Sequence, residues 1–157
     1  MGSLDSHDMS SVNWDWILPA SEFTQLCIVV DQSIPTPAAQ ALAKRFSAVP
    51  QVSLLRIPEP AHLHREWSKY SEHQTSAVAT VTGDAAKSMR PLSRAVKLLL
   101  WSSAPEELDW LGGIYGQPVL HTRYRIDTDE ASAIRFGIER VFAVLREVVK
   151  CNVATGY

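Results

Sequence analysis

The chain has 157 residues, 46% of them hydrophobic and 20% charged, which is the balance of a globular domain with a sizeable core rather than of a disordered chain. A formal charge of −2, from 15 basic and 17 acidic residues, argues against a general nucleic-acid binder, whose affinity comes from clustered cations. Two cysteines far apart in sequence, Cys27 and Cys151, with Cys27 inside an apolar strand-like run, do not suggest a disulfide framework, and no apolar run approaches the roughly 20 residues of a membrane span. The expectation is a cytoplasmic protein.

Residues 1–12 are rich in Ser, Asp and Gly and read as a disordered arm ahead of a single α/β domain over 13–157. Trp14-Asp15-Trp16-Ile17-Leu18 follows as an aromatic anchor. Large aromatics of this kind cover a core edge or face a partner. Leu26-Cys27-Ile28-Val29-Val30 is an unbroken apolar run that stops at Asp31, the pattern of a strand buried on both faces. Thr36 is placed to cap the next helix, with Pro37 at its first position. Ala39, Leu42, Ala43 and Phe46 give that helix its apolar face.

Val52–Ile57 reads as the second strand. Leu63, Trp67 and Tyr70 mark a helix over Ala61–Glu72. Ser76–Val81 reads as a third strand, ending at Thr82-Gly83-Asp84, where Asp84 caps a helix over Ala85–Met89. Residues 91–101 fit both periods, and a strand at Val96–Trp101 preserves the alternation of strand and helix. Ser103-Ala104-Pro105-Glu106 matches a capping box for a short helix ending at Gly112-Gly113. Pro118–Ile126 supplies a fifth strand, and Asp127 with Glu130 opens a long helix over Thr128–Lys150.

Strands alternating with helices at these spacings predict a three-layer α/β/α sandwich on a mostly parallel five-stranded sheet. The flavodoxin-like order 2-1-3-4-5 is the leading arrangement. Ligands in such sheets favour the carboxyl ends of the strands where the order reverses. That rule selects Asp31, Ser33, Thr36, Thr82, Gly83 and Asp84, with Ser102 and Ser103 nearby, and of these Asp31, Thr36, Thr82, Asp84 and Ser103 are the candidate ligand-binding residues.

No glycine-rich phosphate loop accompanies them, and neither a cofactor nor a metal is expected. His62 and His64 point about 200° apart on a helix and cannot chelate one ion there. His121, Arg123 and Arg125 alternate on one face of the fifth strand, as an anion-binding stripe or as the solvated face of an edge strand. In the last helix Ile134, Ile138, Val141, Leu145 and Val148 form one apolar stripe. Phe136, Phe142 and Val149 widen it beyond what a sheet needs.

Two functions follow as expectations. The first is a non-catalytic regulatory or protein-interaction domain, with Trp14, Trp16, Phe142 and Val149 facing a protein partner or a second copy through the last helix. The second is a small ligand- or nucleotide-binding enzyme working at the ends of the first and third strands.

Overall fold

The computed structural model describes residues 15–72, 92, 93 and 95–154. Strands β1 (Asp15–Leu18), β2 (Leu26–Asp31), β3 (Val52–Ile57), β4 (Lys97–Ser102) and β5 (Val119–Arg123) form one sheet in the order β1-β3-β2-β4-β5. β1 runs antiparallel to β3, and the other neighbours are parallel. Helices α1 (Thr36–Phe46), α2 (Pro60–Glu72), α3 (Gly112–Tyr115) and α4 (Glu130–Ala154) connect or flank the strands, with a 3₁₀ helix at Pro105–Leu111. None of the described helices is long and apolar enough to cross a membrane.

The α/β class holds, and the flavodoxin-like order does not. β2 and β4 are hydrogen-bonded neighbours from Leu26 opposite Lys97 to Val30 opposite Trp101, so no third strand fits between them. Ser76–Val81, Thr82 and Asp84 lie outside the described residues. The fifth strand of the sheet is the segment read as an aromatic anchor, with Trp16 opposite Leu55. Its Trp16-Ile17-Leu18 run does not alternate apolar with polar, which is why this edge strand escapes a pattern reading.

Both faces of β2 are covered, as its unbroken apolar run requires. Leu26, Ile28 and Val30 join Leu42 and Phe46 of α1 and Val141 and Val144 of α4 in one core cluster. Cys27 and Val29 turn the other way, to Leu63 of α2 and to Leu108 and Leu111 of the 3₁₀ helix. Each such large apolar side chain contributes about 1.5–3 kcal/mol on full burial. Burial also pushes the Cys27 thiol up to about 12, against a small opposing effect of the Ser53 side chain. It is packing material rather than a nucleophile.

The helix ends differ from expectation in instructive ways. Thr36 is the first residue of α1 and not its cap; Pro35 holds the cap position, without a side-chain bond. Ser103 does not open a capping box, because Ala104 precedes the 3₁₀ helix and no side chain caps it. The 3₁₀ helix ends at Leu111 with Gly112 in its C-cap position, as the glycine pair implied, but the same glycines also begin α3, which Gly116 closes with φ of 73°. A Cβ on Gly112 would lie 2.5 Å from Val119 Cγ2 and 2.9 Å from the Gln117 carbonyl oxygen, so close approach to β5 explains that glycine.

Asp129, rather than Asp127, sits at the start of α4, accepting the Ser132 N–H at 3.0 Å. The Ser132 backbone N–H, helped by its hydroxyl, holds the Asp129 carboxyl below its usual value. A folded-state value depressed in this way contributes stability that is present above the unfolded-state value of about 3.9 and is lost as pH falls through the folded one. Asp129→Ala is therefore expected to lower Tm by a few degrees at neutral pH. The gap should close in acid, and Tm measured across pH checks both limbs.

Candidate functional site

The parallel register that sets Val30 opposite Trp101 brings the last residues of β2 and β4, Asp31 and Ser102, side by side at the carboxyl end of the sheet. From β2 the chain leads to β3 on one side, and from β3 it returns across to β4 on the other. This is the point of topological reversal. Only 3% of Asp31 is exposed.

The carboxylate is held by two parallel relays. The Ser103 N–H donates to Ser33 Oγ at 2.9 Å, and the Ser33 hydroxyl donates to Asp31 Oδ1 at 2.5 Å. The Ala104 N–H donates to Ser102 Oγ at 3.0 Å, and the Ser102 hydroxyl donates to Asp31 Oδ2 at 2.6 Å. The Ser33 N–H adds a third bond to Oδ1 at 3.0 Å. All three are donors, which suits an acceptor-only carboxylate. The result ties the turn after β2 to the loop after β4.

Of the candidate ligand residues, Asp31 and Ser103 meet here, Ser103 through its backbone. Thr36 does not join them. It is exposed and lines a separate groove of about 270 Å³ with Trp16 and Arg56. Ser33 and Ser102, which the strand-end rule also places at this crevice, complete the cluster. An Asp two residues before a Ser is a local signal for a side-chain turn, but the partnership with Ser102 spans 71 residues and has no local signature.

The apolar candidates have distinct surroundings. Trp14 lies outside the described residues, and Trp16 packs half-buried against the cluster of Cys27 and Val29. Phe142 is half-buried, with its ring 5.2 Å from that of Phe46 and the Arg45 guanidinium 4.8 Å from its centroid. Val149 belongs to α4. Ile126 and Phe136 remain 77% and 51% exposed, near and along a groove of about 640 Å³ between β5 and α4.

His62 and His64 sit on α2, as the helical reading required, and both border a further groove against the 3₁₀ helix, where His64 stacks on Trp110. Among the described residues no group of His, Cys, Asp and Glu could hold a metal ion. The stripe on β5 is tied down by acids of the 3₁₀ helix: His121 to Asp109, and Arg123 to Glu106 at 2.8 Å. Compared with known proteins, the chain matches no protein family, no curated protein and no solved structure.

Proposed function

We propose that this chain is a non-catalytic protein-interaction domain of regulatory type. One observation carries the reading: the carboxylate at the strand-end crevice is spent inside the fold. With both oxygens of Asp31 engaged by hydroxyls and the side chain buried, its carboxylate serves the fold and is poorly placed to act as a base on a ligand. Apolar exposure lies elsewhere, at Phe23, Ile126 and Phe136, and exposed apolar surface beside polar residues suits a partner. Association through α4 is the dimeric form of this proposal.

The position of the crevice favours a second reading, a small ligand- or nucleotide-binding enzyme at the ends of β2 and β4, since ligands gather where strand order reverses. Native mass spectrometry beside the denatured mass separates the two. The interaction reading expects a co-purifying protein or a dimer, with the dimer lost in Phe142→Glu. A retained small molecule, absent from Asp31→Asn, would establish the second reading and sink the first.

A further inference from the structure

β5 is the last strand of the sheet, and the groove beside it touches five consecutive residues, His121 to Arg125. Side chains alternate across a strand, so a groove that meets His121, Thr122 and Arg123 of β5 in succession, and then Tyr124 and Arg125 beyond its end, borders the backbone edge as well as the α4 face. The parity of the ladder agrees. Pro118 accepts the Leu98 N–H at 2.8 Å, and the Tyr124 N–H donates to the Ser102 carbonyl at 2.7 Å. Even-numbered residues thus turn their backbone groups to β4, and His121 and Arg123 turn theirs to the opposite edge, which is free among the described residues.

Among the described residues, the side chains with a cationic form along that groove are His121, Arg123 and Arg125 on the strand side and Arg140 on α4, with no carboxylate in the lining. This occurs in a chain whose formal charge is −2. Acids do stand outside the groove, Asp109 on His121, Glu106 on Arg123 at 2.8 Å and Asp127 on Arg125 at 3.6 Å. All three pairs are solvent-exposed, where ion pairs contribute little and exchange readily. Arg140 gives its Nε–H to Thr122 Oγ1 at 3.2 Å and makes no ion pair among the described residues. Phe136, half-exposed on the α4 wall, supplies an apolar contact.

We propose that the free edge of β5 takes an acidic, extended segment of a partner protein as an added strand, its carboxylates on Arg125 and Arg140 and an apolar side chain on Phe136. Main-chain bonds supply affinity in this mode, and alternate side chains supply selectivity. A second copy of this chain is a poor occupant, because two β5 edges would set His121, Arg123 and Arg125 against their own counterparts. The inference rests on the interaction reading above and names the chemistry of the partner.

The test is fluorescence anisotropy of the full chain with a labelled peptide of alternating glutamate and valine, roughly seven residues long to match a typical strand. Saturable binding is expected, weakening as salt rises and falling by about tenfold or more in Arg125→Glu with Arg140→Glu. Backbone amide shifts should gather at residues 121–125. Lack of saturation, or equal binding of the lysine-for-glutamate peptide, would overturn the proposal. So would undiminished binding of a peptide N-methylated at alternate amides, or a dimer cross-linked through β5. A co-purifying protein beside a silent peptide defeats this inference alone, whereas a small molecule retained in the strand-end crevice defeats the interaction reading itself.

Discussion

Asp31→Ala is expected to lower the free energy of unfolding by about 3–5 kcal/mol in urea denaturation at neutral pH, enough to threaten a typical domain. Removing the carboxylate strands two hydroxyls and one backbone N–H that now donate to it. Each buried group left without a partner costs about 1–3 kcal/mol, and entering water recovers part of that. The serines should cost less singly, about 1–2 kcal/mol for Ser102→Ala. A double-mutant cycle across Asp31 and Ser102 should show coupling of about 1 kcal/mol or more. An Asp31→Ala protein within about 0.5 kcal/mol of the parent would mean that the crevice is wet and the carboxylate available, which would revive the enzyme reading.

Gly137→Ala should also destabilise, against helix propensity. Alanine gains about 1 kcal/mol over glycine inside an exposed helix. Here, however, a Cβ would stand 2.8 Å from Trp101 Cζ2 and 3.0 Å from Cε2. The ring cannot retreat easily: Trp101 is fully buried, and its edge meets the Tyr124 ring at 5.3 Å. Its indole N–H has no hydrogen-bond partner among the described residues, so packing fixes the ring. Overpacking typically costs about 1–3 kcal/mol and outweighs the propensity gain when neighbours are pinned. A net loss of about 1–2 kcal/mol follows, with a changed near-ultraviolet tryptophan signal. Gly113→Ala is the control, since nothing lies within 4 Å of its Cβ position. If both alanines behaved alike, the close approach of α4 to Trp101 would be refuted.

Much of the architecture is legible in the residues. The Leu26–Val30 run, the Val52–Ile57 strand and the stripe at Leu63 each imply an element that the structure contains, because hydrophobic period follows backbone geometry. Strand order is different. Nothing local in Leu26–Asp31 or Lys97–Ser102 says that they pair, and the third-strand reading of Ser76–Val81 placed a spacer where a ladder runs. Caps fail for a related reason. Asp127, Thr128 and Asp129 are all competent acceptors in succession, and which one receives the Ser132 N–H depends on where α4 meets the sheet. At the candidate site, Asp31 was readable as a strand-end acid, while its engagement by Ser33 and Ser102 was not. A polar residue reveals its chemical type in sequence, but its availability depends on neighbours that only the fold supplies.

The relays at Asp31 also bear on the order in which the molecule assembles. Their central bond joins residues 71 apart, and closing so long a loop costs entropy before any contact returns it. The β2-α1-β3 unit, by contrast, is local in sequence and can associate early. The Asp31 to Ser102 bond is therefore expected to form at the closing stage, when β4 docks against a β2 already paired on its other side. Interactions absent from the folding transition state act mainly on the unfolding rate. The serine-aspartate cluster is thus a latch on the lifetime of the native state, holding the two halves of the sheet together after the nucleus has formed.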